Sequence, residues 1–353
     1  MIDLKNFYKN KKVLITGNTG FKGSWLHFIL NSFGAKVYCY SLKPNSNPNN
    51  FKILNLNRNN KQKFRNIKNY KILKNYLNKV NPEIIFHLAA QSLVKKSYKN
   101  PRDTFETNCI GTMNILDISM NLKKLKSLII ITSDKCYKNM ERKSGYSEND
   151  ELGGADPYSA SKAAAENIFN SYLNLANSKS VSFGLASARA GNVIGGGDWS
   201  DDRIIPDFIK SLQKKKPFTI RSQNAVRPWQ HVFDLLNGYL ILGKKLYTNP
   251  KKYSGSWNFG PNNKKDLKVL EIVKYLKTKM NVKKKLIIKK DKKLKETLFL
   301  KLISQKSNKY LGWKTKLNTF QALDLTAKWF NTYLKKENII DFSRKQVNEF
   351  YND

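Results

Sequence analysis

Cysteine and histidine are nearly missing from this chain, with three of each among 353 residues. Cys39, Cys109 and Cys136 are too few and too unevenly spaced for a disulfide scaffold or a thiolate metal site. That pattern reads as reduced thiols in a cytoplasmic protein, with Cys136 a small buried hydrophobe. His27, His87 and His231 are too dispersed for a metal centre, and no metal is expected. Acid is scarce too: 26 Asp and Glu stand against 65 Lys and Arg, a net charge of +39. The basic residues fall in scattered runs such as Lys214-Lys215-Lys216 and Lys283-Lys284-Lys285, with no basic helix and no nucleic-acid motif. We read them as a solvated surface that attracts anionic substrates, and expect no specific nucleic-acid partner. No apolar run is long enough to span a bilayer, and Met1 to Tyr8 lacks the apolar core of a signal peptide, so no membrane is expected. There is no internal repeat and no low-complexity linker.

What is present is alternation. Val13 to Thr16, Lys36 to Tyr40, Ile84 to His87-Leu88, Leu128 to Thr132 and Val181 to Leu185 read as strands, with helical patterns between them. Strand and helix in turn predict an α/β fold, a doubly wound parallel sheet with helices on both faces. The pattern changes near Arg189. A stretch rich in Gly, Pro, Trp and Asp runs to Val232, and a mostly helical third follows, with Leu294 to Leu302 as a candidate strand. That part predicts a smaller lobe over the sheet, and Lys335 to Asp353 a peripheral helix or frayed tail.

Three motifs carry chemistry. Gly17-Asn18-Thr19-Gly20-Phe21-Lys22-Gly23 follows the first strand and opens a helix. Glycines there allow a tight turn and close backbone approach, and the helix N-terminus offers N–H groups to a pyrophosphate. Ser133-Asp134-Lys135 ends an apolar strand, which places a hydroxyl, a carboxyl and an ammonium where open α/β sheets bind ligands. Tyr158 and Lys162 sit four apart on a helix opened by Asp156 as N-cap and Pro157 in the first turn. A cation about 4 Å from a phenol, at an effective dielectric of ~20, lowers its pKa by roughly three units. This predicts that Lys162 brings Tyr158 towards a usable base. The end of the second strand, Tyr40-Ser41-Leu42-Lys43, carries no acidic residue for an adenosine ribose.

Together these residues resemble the extended short-chain dehydrogenase/reductase family, from about Lys11 to Lys314. The resemblance rests on Thr19-Gly20-Phe21-Lys22-Gly23-Ser24-Trp25-Leu26, His87-Leu88-Ala89-Ala90-Gln91, Ser133-Asp134-Lys135-Cys136-Tyr137, Gly153-Gly154-Ala155-Asp156-Pro157-Tyr158, the run from Ala188 to Trp199, and Arg227-Pro228-Trp229-Gln230-His231-Val232. Asp134-Lys135 and Gly195-Gly196-Gly197-Asp198-Trp199 are similar to the branch that acts on CDP-glucose. The chain departs from that branch in having Ser133 for Thr, Asn66-Ile67 for Asp-Ile, Lys295-Glu296 for His-Glu, and Leu302-Ile303-Ser304 for Leu-Asp-Cys.

The resemblance implies a Rossmann-type sheet and an NAD-dependent hydro-lyase. Its reaction oxidises C4 of the sugar of CDP-D-glucose, eliminates water across C5 and C6, and returns the hydride to C6. The product is CDP-4-dehydro-6-deoxy-D-glucose, a precursor for deoxysugars of lipopolysaccharide. Ser133, Asp134, Lys135, Tyr158 and Lys162 are the implied catalytic residues. Gly17, Thr19, Gly20, Phe21, Lys22, Gly23, Ser41, Asn66, Ile67, Leu88, Ala89, Ala90, Tyr158 and Lys162 would hold NAD. Gln91, Arg189, Asn192, Arg203, Arg227 and His231 would hold the nucleotide sugar, while Trp199 and Trp229 either stack on it or pack. Residues 1–188, with 232–262 returning, form the implied cofactor domain. Residues 189–231 and 263–335 form the substrate lobe, 336–353 a peripheral element, and the assembly is a homodimer or homotetramer. The alternatives are another nucleotide-sugar dehydratase or epimerase, or an inactive dinucleotide-binding scaffold.

Overall fold

The structure is a computed structural model that describes residues 3–58, 61–220, 223–261, 267–288 and 299–352. Seven parallel strands form the central sheet: β1 (Lys12–Thr16), β2 (Lys36–Ser41), β3 (Gln62–Phe64), β4 (Ile84–His87), β5 (Ser127–Ile131), β6 (Gly184–Ala190) and β7 (Gly255–Phe259). Their spatial order is β7-β6-β5-β4-β1-β2-β3. Strand order therefore reverses between β1 and β4, which pair from Val13–Ile84 to Thr16–His87. The crevice at the carboxyl ends of these two strands is the switch point at which such sheets take ligands.

The major helices are α1 (Phe21–Ser32), α2 (Tyr70–Val80), α3 (Gly111–Ser119), α4 (Pro157–Ser178), α5 (Ile204–Gln213), α6 (Val232–Thr248), α7 (Val269–Lys279), α8 (Thr319–Leu334) and α9 (Ile339–Asn352). One face of the sheet buries Leu14, Ile85, Leu128 and Ile130 with Leu73, Leu77, Ile115 and Phe169 of α2, α3 and α4. The other buries Val13, Ile15, Phe86 and Ile129 with Trp25 and Ile29 of α1 and Leu236 and Leu240 of α6. Runs such as Ser-Leu-Ile-Ile-Ile in β5 are buried at every position, as a strand covered on both faces requires.

Three strands differ from the sequence reading, the first being the short β3, for which no strand was expected. The strand expected over Val181 to Leu185 starts at Gly184 and runs to Ala190, because Ser180 turns the chain at φ 49° after α4. Its sequence, Gly-Leu-Ala-Ser-Ala-Arg-Ala, has no β-branched residue, and all seven residues are buried. Burial between helices selects small side chains over intrinsic strand formers here. Strand β7 pairs with β6 from Gly255–Ala186 to Phe259–Ala190 and has no clear sequence signal.

Beyond β6 lie α5, a two-stranded piece pairing Phe218–Ile220 with Leu286–Ile288, and α7, α8 and α9. Residues 294–298 of the expected strand lie outside the described residues, as do Lys295 and Glu296. Leu302 makes a single bridge to Tyr146. The C-terminal segment is packed helix: Val347 and Phe350 of α9 are buried, and the Tyr351 ring meets Phe33 of α1 edge-on at 5.0 Å. Trp25 ties the layers together. Its Nε1 donates to the Gly196 carbonyl at 2.8 Å, and its ring stands 4.9 Å from Phe233. Such an aromatic pair adds about 0.5–1.5 kcal/mol beyond area burial.

Candidate active site

The glycine loop leaves β1 at Thr16 and enters α1 at Phe21. Gly17 holds φ 73°, and a Cβ on it would stand 2.6 Å from the Ala89 nitrogen, so the loops after β1 and β4 touch across the switch point. Thr16 Oγ1 accepts the Ala89 N–H and bonds His87 Nδ1 at 2.7 Å, which fixes that contact. Gly20 is the N-cap of α1 and no side chain caps the helix. The first N–H groups of a helix lack partners within it. An uncapped turn beside a loop that admits no Cβ fits a dinucleotide diphosphate.

At the edge formed by β2 and β3, Asn18 Nδ2 donates to Gln62 Oε1 at 2.7 Å, and Gln62 Nε2 donates to Ser41 Oγ at 3.2 Å. Thr19 donates to the Leu42 carbonyl. Amides thus stand where a ribose-binding carboxylate was sought. Gln62 was not anticipated, because a three-residue strand carries no periodic signal. Asn66 Oδ1 accepts the Lys68 N–H within its own turn, and Ile67 is buried. Leu88, Ala89 and Ala90 line the end of β4, half-buried.

The reacting groups gather one strand further along. Ser133 follows β5 and caps the short helix Asp134–Cys136, its Oγ accepting the Lys135 N–H at 3.3 Å and donating to Asp134 Oδ1 at 2.9 Å. Lys135 Nζ lies 3.5 Å from the same carboxylate oxygen. The Asp134 side chain is buried, while that of Lys135 is about a third exposed. A Cβ on Gly191, just past β6, would stand 3.0 Å from Asp134 Oδ2, so the ends of β5 and β6 meet there. Asp156 caps α4 through the N–H groups of Tyr158 and Ser159, both at 3.0 Å. That cap aims Tyr158 at Ser133.

Electrostatics corrects one expectation. Burial pushes the Tyr158 phenol up to about 12. A hydrogen bond with Ser133 and the charge of Arg203 pull against it, while Asp134 adds to the rise. Lys162, one helical turn on from Tyr158, reaches the end of β5. Its Nζ donates to the Ile131 carbonyl at 3.3 Å, and burial lowers it to about 8 against the support of Glu166.

The residues expected to grip the substrate separate into two groups. Arg189 is corrected: it is 1 % exposed, its guanidinium pairs with Glu166 Oε2 at 2.7 Å and donates to Tyr137 at 2.7 Å and to the Glu148 carbonyl. No surface remains for a ligand. His231 is corrected as well, since its Nδ1 caps α6 by accepting the Phe233 N–H and its ring is buried against Phe233. Gln91 spends its amide on Leu93 and Thr104. Trp199 and Trp229 are buried, Trp199 edge-on to Phe330 at 5.4 Å, so both pack. Asn192 and Arg227 are half-buried at the cleft, with the Asn192 carbonyl accepting the Gln230 N–H and Arg227 donating to the Val226 carbonyl. Arg203 is partly exposed, pairs with Asp198 at 3.0 Å, and is the arginine whose charge reaches Tyr158. Among the described residues no cluster of His, Cys, Asp or Glu could hold a metal ion, and no helix is long and apolar enough to cross a membrane.

A reversed-order parallel sheet, an uncapped glycine turn at its switch point and a Ser/Tyr/Lys set one strand away define an extended short-chain dehydrogenase/reductase. More narrowly, the chain belongs to the GDP-mannose 4,6 dehydratase family, whose model matches residues 14–326. It is 40 % identical over 355 residues to the CDP-glucose 4,6-dehydratase of Salmonella typhimurium, covering 99 % of this chain and 98 % of that protein. It is 25 % identical to the dTDP-glucose 4,6-dehydratase of Haemophilus influenzae, covering 90 % and 97 %. The fold is shared with an epimerase from Methanothermobacter thermautotrophicus at TM-score 0.82, 21 % identity and 98 % and 97 % coverage. It is also shared with the dTDP-glucose 4,6-dehydratase of Bacillus anthracis solved with NAD, at TM-score 0.74, 21 % identity and 93 % and 99 % coverage.

Proposed function

We propose that this protein is an NAD-dependent CDP-glucose 4,6-dehydratase. The observation that carries the reading is Asp134-Lys135 beside Ser133 and Tyr158, since oxidation at one hydroxyl needs only the last two. The near full-length similarity to the Salmonella enzyme supports the choice of nucleotide sugar. NAD, when bound, supplies the acceptor for the C4 hydride and its return to C6. Gly17, Thr19, Gly20, Phe21, Lys22 and Gly23 hold the diphosphate, Ser41, Asn66 and Ile67 the adenosine end, and Leu88, Ala89 and Ala90 the floor of the crevice.

Tyr158 takes the C4 hydroxyl proton, and Ser133 orients that oxygen. A phenol near 12, with the Ser133 hydrogen bond and the Arg203 charge already pulling it down, is a poor base at neutral pH, and the positive charge of oxidised NAD would supply the further lowering. Lys162 keeps its charge under Glu166 and serves the ribose side of the crevice. Asp134 protonates the departing C6 hydroxyl. Lys135 either removes the C5 proton itself or organises the Asp134 carboxyl and a water that takes that proton. Asn192, Arg203 and Arg227 bind the CDP-sugar, as arginine suits a diphosphate.

On this reading residues 1–188 with 232–262 bind cofactor, and 189–231 with 263–335 bind substrate. The enzyme works in the cytoplasm as a homodimer or homotetramer and supplies deoxysugars for lipopolysaccharide. The test is incubation with CDP-, dTDP-, UDP- and GDP-sugars followed by NMR of the products. A 4-keto-6-deoxy sugar from CDP-glucose is the expected result, and none from CDP-glucose overturns the reading.

A further inference from the structure

Three consecutive residues at the end of β5 each meet a different turn of α4. The Ile131 carbonyl accepts from Lys162 Nζ at 3.3 Å, Thr132 Oγ1 donates to Glu166 Oε1, and Ser133 hydrogen-bonds the Tyr158 phenol. Tyr158, Lys162 and Glu166 follow one another at four-residue spacing, so they share a helix stripe about 12 Å long. The reaction as read above gives the Ser133–Tyr158 contact a chemical step and places Lys162 on the ribose side. The Thr132–Glu166 contact has no task in it. Glu166 is fully buried, and its two oxygens face different partners. Oε2 accepts from Ser187 at 2.8 Å and from Arg189 at 2.7 Å, both on β6. Oε1 accepts, among the described residues, from Thr132 only. One side chain of α4 thereby ties down β6 and the residue that immediately precedes Ser133. The Thr132 N–H donates to the Ala188 carbonyl at 3.0 Å, so that residue is held from β6 as well.

We propose that Glu166, acting through Thr132, is a positioning residue for the reaction: it sets where Ser133 leaves β5, and so how the Ser133 hydroxyl meets the Tyr158 phenol. This rests on the dehydratase reading above. A carboxylate accepts several hydrogen bonds at once, and a buried one keeps them because no water is there to replace a lost partner. The Asp156 cap fixes the start of α4, and Glu166 fixes the same helix two turns beyond Tyr158. The Ser133 side chain, besides meeting Tyr158, bonds the Lys135 N–H and Asp134 within its own turn. Its place relative to α4 is therefore set from the residue before it. A hydroxyl that orients a reacting oxygen tolerates little error, since a misplacement of about 1 Å costs up to about 100-fold in rate.

Glu166 itself is a poor probe, because its loss leaves Arg189 buried and unpaired. The hydroxyls on its two oxygens form a matched pair instead. Thr132→Val and Ser187→Ala each remove one donor from Glu166 and leave its ion pair with Arg189 in place. Both should melt below wild type, since each takes a hydrogen bond from a buried carboxylate. With NAD and CDP-glucose, Thr132→Val should lower kcat roughly tenfold and leave KM for CDP-glucose within about twofold. Thr132→Ser keeps the donor and should restore most of kcat. Ser187→Ala should keep kcat within about twofold of wild type despite its lower melting temperature. Wild-type kcat in Thr132→Val, an equal fall in Ser187→Ala, or no recovery in Thr132→Ser overturns the positioning role and leaves the dehydratase reading intact. A wild type that makes no product from CDP-glucose overturns that reading and the role that rests on it.

Discussion

Two sets of charges flank the carboxyl halves of β5 and β6, and the protein treats them oppositely. Behind the strands, Glu166 accepts from Thr132, Ser187 and Arg189, and Arg189 reaches on to Tyr137, which donates to Asn258. Both terminal nitrogens of Arg189 are satisfied, and the pair is sealed from water. In front, at the strand ends, Lys162 donates to the Ile131 carbonyl, Arg203 shares a half-open pair with Asp198, and among the described residues Lys22 Nζ makes no hydrogen bond or ion pair. Charge that is paired and sealed from water is architecture. Charge left short of partners in a cleft is where chemistry and anionic ligands belong. Two arginines in equally motif-rich stretches therefore have unlike roles.

Breaking the front set gives the largest effect. Tyr158→Phe should lower turnover roughly 10²–10⁴-fold while the protein still binds nucleotide, measured by product NMR and calorimetry. Near-normal turnover would remove Tyr158 from the reaction. Breaking the rear set should show first in stability. Arg189→Met leaves Glu166 buried and uncompensated and should cost about 3–5 kcal/mol in urea unfolding. Arg189→Met combined with Glu166→Gln should recover part of that loss. If Arg189→Met instead weakens substrate binding at unchanged stability, the division between the two sets fails.

Smaller effects sharpen the front set. Asp134→Asn with Lys135→Met should slow water loss more than the initial oxidation, so reduced nicotinamide should accumulate after CDP-glucose is added. An unaffected rate of water loss would take the pair out of the elimination. Gly191→Ala would bring a methyl group within 3.0 Å of Asp134 Oδ2, and it should lower turnover about tenfold with little change in melting temperature. The last effect is on acid stability and touches neither set. Burial lowers His27 to about 4 and His87 and His231 to about 3. Unfolded histidine binds its proton near 6.5, so below that pH the unfolded state holds more protons than the folded one. Stability is fully present above about 6.5 and falls as pH drops towards 4, by about 1.4 kcal/mol per pH unit for each histidine. Melting curves from pH 7.5 down to 4.5 check this, and replacing His231 by Gln should make the acid limb shallower.

Much of the site was legible in the chain because its signals are local. The glycine turn, the Asp156-Pro157 helix start and the apolar strand ahead of Ser133 each lie within a few residues, and all formed as read. What failed was long-range. The resemblance implies that Arg189 holds the nucleotide sugar, yet Glu166, 23 residues away, claims its guanidinium. Lys162 shares a helix face with Tyr158 as four-residue spacing implies, but that its ammonium meets the Ile131 carbonyl of the neighbouring strand is visible only in space. Strand β6 starts later than the sequence implies because its small residues are chosen by the helices packed on it, and β7, Gly-Ser-Trp-Asn-Phe, mixes polar and aromatic residues over five positions and gives no run to read.

The sequence by itself determined which chemical groups exist and which local turns present them: a glycine loop entering a helix, a hydroxyl-carboxyl-ammonium run after a strand, a phenol at a capped helix start. Periodicity and capping act over one or two helical turns, so they can be read along the chain. Only the tertiary structure decided which of the charges are spent and which are left over. Ion pairs are settled by distance in space and by exclusion of water, and residues 189 and 203, close in sequence, end on opposite sides of that boundary.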